Sequence, residues 1–142
     1  MSYMEKSKGA KFLGSSVKRD GKNTSPRLLS GLKNLIIDID GVICEDVPNE
    51  ERERMVTAAE IPGSKKQINE WFKQGHIITF FTARTEDLRK ITETWLKTRG
   101  FRYHNLICGK PRGGNYHYID DKQISSSIFS GKFDKLETKK RE

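Results

Sequence analysis

The sequence predicts an α/β domain in which helices cover both faces of a parallel sheet. Two observations favour this class. Short apolar runs of β-branched character alternate with segments whose apolar residues recur at helical spacing. Each predicted strand also ends in polar residues, and in a parallel sheet such ends meet on one edge, where α/β proteins bind ligands. The same pattern therefore predicts both the fold and the place of its functional site.

The predicted strands are continuous apolar runs, as expected for strands covered on both faces, and the predicted helices carry apolar residues at i, i+3 and i+4. In chain order, the predicted elements are a strand at 35–39, a helix at 65–74, a strand at 76–84, a helix at 86–99, and strands at 105–110 and 116–122. The predicted helix caps are Ser64 and Thr85, and the predicted terminators are Gly75 and Gly100.

Length and charge divide the chain into one domain and two basic ends. A chain of 142 residues has room for one full domain. Of the formal net charge of +8, residues 1–33 carry +6 and residues 132–142 carry +2, so residues 34–131 are neutral. We therefore predict a basic arm, flexible or acting as a lid or oligomer element, then a catalytic domain and a charged tail. Because the charge lies outside the predicted domain, it is weak evidence for a nucleic-acid partner.

The cysteine content and the apolar runs bear on the compartment. Cys44 and Cys108 are too few for a disulfide framework, so we expect both to be reduced in a cytoplasmic protein. No run approaches 18 apolar residues, and the basic N-terminus lacks the apolar region of a signal peptide, so we expect no membrane partner. A zinc site formed by Cys44, Cys108 and His117 is a weaker alternative, because the spacing is not diagnostic.

Polar residues suited to phosphate chemistry follow four predicted strands. They are, in chain order, Asp38 and Asp40, Thr82, Lys110, and Asp120 with Asp121. Two carboxylates at the mouth of a buried strand repel each other unless a cation compensates. An all-oxygen ligand set favours Mg²⁺, and Lys110 with the Thr82 hydroxyl would hold an anion such as phosphate beside it. The pattern therefore predicts a magnesium and phosphate site.

These residues lie in motifs that resemble those of the haloacid dehalogenase superfamily of phosphohydrolases. The motifs are DIDGV, FFTAR, CGKP and YIDDK, in that order, within residues 34–129. The motif sequences are similar to those of small capless phosphatases of sugar and capsular-polysaccharide biosynthesis. The resemblance implies a three-layer Rossmann-like fold with a central parallel sheet. Only 41 residues separate Asp40 from Thr82 and nine separate Lys110 from Asp120, so neither gap holds a cap domain.

The resemblance also implies a role for each motif residue. Asp38 becomes the nucleophile that forms an aspartyl-phosphate, and Asp40 the general acid and base. The phosphoryl group is bound by Thr82, Ala83 and Lys110. The Mg²⁺ ligands are Asp38, Asp40 through its backbone carbonyl, Asp120 and Asp121.

The function expected from this resemblance is a magnesium-dependent phosphomonoesterase acting on a phosphorylated sugar or a similar small metabolite. Three further candidates are less specific: Arg84, Arg112 and Asn115. They contact a second anionic group or hydroxyls of the substrate, or alternatively they are surface residues. Without a cap, the lid comes from a partner subunit of a homo-oligomer, from residues 42–62, or from the basic arm. The alternatives are a nucleotide or nucleic-acid end phosphatase and a non-catalytic module that binds a phosphorylated ligand.

Overall fold

The structure, a computed structural model, describes residues 17–133 and 139–140. It is a mixed α/β chain with a small parallel sheet, which confirms the predicted class at this level. In chain order, the strands and helices are β1 (Val17–Arg19), β2 (Lys22–Thr24), β3 (Asn34–Ile37), α1 (Arg52–Val56), α2 (Ser64–Gln74), β4 (Ile77–Phe81), a 3₁₀ turn (Glu86–Leu88), α3 (Arg89–Arg99), β5 (Asn105–Ile107), β6 (Ser125–Ser126) and β7 (Lys139–Lys140).

The parallel sheet has the strand order β3-β4-β5, with β4 in the middle. The central position of β4 explains its sequence, because Ile77, Ile78 and Phe80 are all buried. Beyond β4, the Thr82 N–H donates to the carbonyl of Ile107, which extends the contact with β5 by one residue. The carboxyl ends of all three strands therefore lie on the same edge of the sheet.

Two helices pack their apolar faces into the core as their spacing predicts. In α2, Ile68 and Phe72 are buried. Both α2 and α3 end at a glycine in the left-handed conformation, Gly75 with φ 102° and Gly100 with φ 83°, which confirms the predicted terminators. The core that these helices share with the sheet includes Trp95 stacked on Phe101 and extends to the buried Phe133.

Neither predicted cap residue bonds its side chain to a helix N-terminus, although Thr85 does stand at the N-cap position. The residue before α2 is Gly63, not Ser64, whose buried hydroxyl instead donates to the carbonyl of Ile43 at 3.3 Å. Thr85 precedes a 3₁₀ turn, and its hydroxyl contacts the side chain of Asp87 rather than capping the backbone. The Ser64 hydroxyl therefore makes a tertiary hydrogen bond and the Thr85 hydroxyl a local one, and neither bonds to the backbone N–H groups at the start of a helix.

The prediction of a strand at residues 116–122 is wrong. The segment forms no strand in the structure, and Tyr118 and Ile119 are exposed by 64% and 85%. A strand needs a neighbouring strand for its backbone hydrogen bonds, and this segment pairs with none of the described strands. Left-handed residues just before it, Gly113, Gly114 and Asn115, turn the chain at that point. The large apolar side chains of the segment are therefore exposed and do not contribute to the core.

An antiparallel hairpin, which the sequence analysis did not predict, lies within the predicted basic arm. It pairs β1 with β2 through Asp20 and Gly21, both with positive φ. Asp-Gly is a strong short-range signal for a two-residue hairpin loop. Predictions about residues 1–16, 134–138 and 141–142 lie outside the described residues. Within the described ranges, no helix has the length and apolar content that a membrane span requires.

Candidate functional site

A cleft of about 250 Å³ lies at the carboxyl ends of β3, β4 and β5. The loops that follow these strands contribute most of its walls. The residues that line the cleft include Asp38, Asp40, Ala83, Arg84, Lys110 and Arg112. The structure therefore brings Asp38, Asp40 and Lys110 together at one cleft, whereas Thr82 lies buried behind Ala83 and Arg84.

The turn after β3 places both carboxylates of the DIDGV motif at the cleft. Ile39, between them, is fully buried, and its carbonyl accepts from the N–H groups of Val42 and Ile43. This tight turn needs Gly41, which has φ 82° and donates its N–H to the carbonyl of Cys44. With Ile39 in the core, its two acidic neighbours face the cleft.

Asp38 is paired with Lys110. The Lys110 Nζ lies 3.0 Å from Asp38 Oδ1, and the same oxygen accepts the N–H of Ile39 at 2.9 Å. The Lys110 backbone N–H donates to the carbonyl of Thr82, which fixes the start of the loop after β5. The ammonium group also lies 5.3 Å from the ring centroid of Tyr116, within cation–π range. Lys110 therefore joins the ends of β3, β4 and β5.

Asp40 is paired with Arg84 through two parallel hydrogen bonds. The guanidinium donates from Nε to Oδ2 at 2.9 Å and from Nη2 to Oδ1 at 2.8 Å. Such bidentate pairs are among the strongest ionic contacts in proteins. The Val47 N–H adds a longer bond to Oδ1 at 3.3 Å, and Arg84 Nη1 donates to the Thr92 hydroxyl at 3.0 Å. Burial lowers the pKa of Arg84, but the hydrogen bonds and charge of Asp40 outweigh it and raise the pKa above its usual value.

The thiol of Cys44 lies beside this pair but stays protonated. Its Sγ is 3.8 Å from Asp40 Oδ1 and 3.8 Å from Arg84 Nη2. Burial and the charge of Asp40 raise the pKa of Cys44 to about 12. A thiol with that pKa is a poor nucleophile at neutral pH. Cys44 therefore packs against the Asp40–Arg84 ion pair, and its thiol is not suited to act as a nucleophile in the cleft.

The two residues of the FTAR motif predicted to bind phosphate differ in exposure. Thr82 is fully buried, and its Oγ1 accepts the N–H of Arg84 at 3.1 Å. Ala83 lines the cleft, and its carbonyl accepts from the Asn49 side chain at 3.3 Å. The backbone around Ala83 is thus nearer to an incoming ligand than the Thr82 hydroxyl.

The structure does not bring Asp120 and Asp121 to the cleft. Both are exposed on the segment at 116–122, and their partners are local: Tyr118 donates to Asp120 at 2.9 Å and Lys122 pairs with Asp121 at 3.0 Å. The hydrogen bond from Tyr118 is the main cause that lowers the pKa of Asp120. Among the described residues, no three His, Cys, Asp or Glu side chains are grouped so that they could hold a metal ion. The described arrangement therefore fits neither the magnesium ligand set nor the zinc alternative.

The three less specific candidates separate clearly. Arg84 lines the cleft but is only 2% exposed, and its guanidinium is paired with Asp40. Arg112 is exposed and lines the cleft, whereas Asn115 is exposed but is not part of the cleft wall. Sequence reasoning missed Asn49 and Tyr116, which also line the cleft. Nothing in their local sequence marks them, because their position depends on how the loops fold over the sheet.

Comparisons with known proteins add little. No family model matches the chain, and no curated protein matches it. The crystal structure of an MCSG target from Vibrio cholerae is similar over 63% of this chain and 80% of that one, with 24% identity and a TM-score of 0.49. A chain in the structure of a Pnkp1/Rnl/Hen1 complex is similar over 73% of this chain and 40% of that one, with 18% identity and a TM-score of 0.48. Similarity at this level indicates no function.

Proposed function

We propose that the protein is a phosphomonoesterase that acts through an aspartyl-phosphate intermediate. The observation that carries the proposal is the cleft in which Asp38 is paired with Lys110 and Asp40 with Arg84, in the motif order of the haloacid dehalogenase superfamily. The same proposal includes that superfamily's three-layer Rossmann-like fold, a catalytic domain at residues 34–131 and a cytoplasmic location.

Asp38 is the nucleophile of the proposed reaction. Its Oδ1 is held by Lys110 and by the Ile39 N–H, so Oδ2 is the oxygen directed at phosphorus. A bond forms between Oδ2 and phosphorus while the bond from phosphorus to the leaving oxygen breaks. The Lys110 ammonium lies where it stabilises negative charge on the phosphoryl oxygens.

Asp40 exchanges the protons of the proposed reaction. It protonates the leaving oxygen in the first step. In the second step it takes a proton from the water whose oxygen bonds to phosphorus while the bond from phosphorus to Asp38 Oδ2 breaks, which releases phosphate. The ionised form that acts as base is the form that accepts both hydrogen bonds from Arg84. A protonated carboxyl is a weaker acceptor, so the pair with Arg84 loosens when Asp40 acts as acid. Arg84 is therefore a positioning residue for Asp40.

The charges in the cleft explain how two carboxylates can lie so close together. The sequence pattern suggested that they need a metal ion, but Lys110 and Arg84 already offset their charges. Magnesium dependence consequently rests on the resemblance alone, and no step above uses a metal. The substrate is a small phosphorylated metabolite such as a sugar phosphate, because the cleft of about 250 Å³ is below the usual 300–1,000 Å³ of ligand pockets.

The test is hydrolysis of p-nitrophenyl phosphate and a panel of sugar phosphates, with magnesium and in excess chelator. Asp38→Asn keeps the shape of the side chain but cannot attack phosphorus, so turnover should fall to background. Asp87→Asn, an exposed carboxylate paired with Arg52, is the matched control and should keep full turnover. Asp38→Asn activity within about tenfold of the parent would remove Asp38 from its role. Full turnover in chelator, with metal absent by elemental analysis, would remove the magnesium requirement.

A further inference from the structure

Among the residues that the structure describes, three cationic side chains line the cleft, and two of them are paired with carboxylates. Lys110 is paired with Asp38, and Arg84 is buried against Asp40. Arg112, by contrast, has no carboxylate within ion-pair distance among the described residues. Asp46 lines the same cleft, yet no ion pair joins it to Arg112. Arg112 is therefore the cleft cation that is available to a ligand in this part of the chain.

The loop that carries Arg112 is fixed at both ends. The Tyr116 hydroxyl donates to the Pro111 carbonyl at 2.5 Å, which closes the loop at 111–116. The Tyr116 ring lies against the Lys110 ammonium, and the Lys110 N–H is bound to the carbonyl of Thr82. Since Lys110 itself is bound to Asp38, the loop is joined to the floor of the cleft. Arg112 is consequently held at the cleft wall by contacts on either side of it.

Arg112 adds to the cleft a positive charge that no described carboxylate offsets, whereas Asp38 already offsets the charge of Lys110. A phosphoryl group placed at Asp38 and Lys110 uses Lys110 and leaves Arg112 for another group. One small molecule that carries both groups can occupy a cleft of about 250 Å³. A guanidinium binds carboxylate and phosphate oxygens in a planar, two-pronged geometry, which makes Arg112 suited to either group.

We propose that Arg112 binds a second anionic group, a carboxylate or a second phosphate, of a phosphomonoester whose scissile phosphate lies at Asp38 and Lys110. This inference rests on the proposed phosphomonoesterase function and narrows its substrate class to small phosphate esters that carry another negative charge. Neutral sugar phosphates of the same size are poorer substrates, because they leave Arg112 without a partner.

The test compares aryl phosphates that differ only in charge. The probes are the 3- and 4-carboxyphenyl phosphates, their neutral carbamoyl counterparts, and 1,4-phenylene bisphosphate. For the full chain, kcat/KM for a charged probe should exceed that for its neutral counterpart by about tenfold or more, as expected for a hydrogen bond between charged groups. Arg112→Gln should bring this ratio close to one. Lys66→Gln removes the charge of an exposed lysine on α2 that is not among the cleft-lining residues, and it should leave the ratio unchanged.

The outcomes separate the two proposals. A preference for the carboxyl probes identifies a carboxylate as the second group, and a preference for the bisphosphate identifies a phosphate. Equal kcat/KM for charged and neutral probes, or a preference that survives in Arg112→Gln, overturns the inference and leaves the phosphomonoesterase function standing. No hydrolysis of any probe by the full chain, with or without magnesium, overturns the proposed function and the inference together.

Discussion

Two acidic pairs in this protein, Asp38 with Asp40 and Asp120 with Asp121, have partners of opposite kinds. The first pair meets cations delivered from the loops after β4 and β5, over long stretches of chain. The second pair meets Tyr118 and Lys122, which are its sequence neighbours. Long-range partners exist only once the parallel sheet has formed, whereas local partners need no tertiary structure. The first pair is therefore tied to the stability of the fold, and the second is not.

The largest effect is expected from breaking the pair between Arg84 and Asp40. Arg84→Leu removes the guanidinium and leaves a largely buried carboxylate unpaired, so the free energy of unfolding should fall by about 3–5 kcal/mol. Urea denaturation measures it. The control is Arg52→Ala, which breaks a pair with Asp87 whose two side chains are 52% and 63% exposed and should hardly move the denaturation midpoint. Equal midpoint shifts for both variants would show that burial does not distinguish these pairs.

A smaller loss is expected when the same pair is weakened from its other side. Asp40→Asn keeps the shape and one acceptor but removes the negative charge, so the cost should be about 1.5–3 kcal/mol, typical of a hydrogen bond to a charged group. In the double variant Asp40→Asn, Arg84→Leu, the two losses should be clearly less than additive, because both remove one interaction. Strict additivity in urea denaturation would mean that the two residues stabilise the fold separately.

How far the sequence predicted this molecule depended on the range of the interactions involved. The apolar periodicity and Gly75 and Gly100 identified both long helices and the three parallel strands, because those signals are local. The convergence of Asp38 and Lys110 followed from the rule that parallel strands end on one edge. Residues 116–122 carried the same local strand signal, yet pairing with a neighbour decides whether a strand forms, and no local signal encodes that.

The ion pair between Arg84 and Asp40 could not be predicted from the sequence for a related reason. Its motif showed a basic residue near the end of a strand, which is compatible with a substrate contact or with surface charge. Only packing decides that its guanidinium turns inward, because the Thr92 hydroxyl on α3 and both oxygens of Asp40 surround it. The sequence pattern indicated that the two carboxylates need positive charge nearby, and the described residues supply Lys110 to Asp38 and Arg84 to Asp40. The magnesium ion stays a prediction.

The end of the sheet opposite the cleft offers a gentler test, by pH. His104 Nδ1 accepts the N–H of Ile78 at 3.0 Å and its ring stacks on Phe72, while burial lowers the pKa of His104 below 6.5. The unfolded chain then binds more protons than the folded one, so this stability is present above pH 6.5 and is lost as the pH falls through the folded-state pKa. His76, which accepts the Lys33 N–H and whose pKa is also lowered, acts in the same direction.

The measurement is the urea midpoint of the full chain and of His104→Gln at about pH 7.5 and about pH 5.5. The midpoint of the full chain should fall on acidification. His104→Gln cannot titrate at that position, so its midpoint should fall less, and His76 contributes to the fall that remains. An identical pH dependence in both proteins would mean that His104 does not titrate with folding.

The smallest effect is expected at the second acidic pair. Asp120→Asn and Asp121→Asn remove exposed charges whose contacts, within the described residues, are with sequence neighbours, so neither should move the urea midpoint measurably. Asp40→Asn, measured beside them, is the matched carboxylate that should move it. A marked loss of stability in Asp120→Asn would mean that residues 116–122 make tertiary contacts in solution, which is also what ligation of a metal by Asp120 requires.

Addition of magnesium makes the test more specific, because a ligand bound only by the folded state raises the urea midpoint. If magnesium raises the urea midpoint of the parent but not that of Asp120→Asn, the two acidic pairs belong to one metal site. If magnesium raises the midpoint of neither protein, they do not share a metal site.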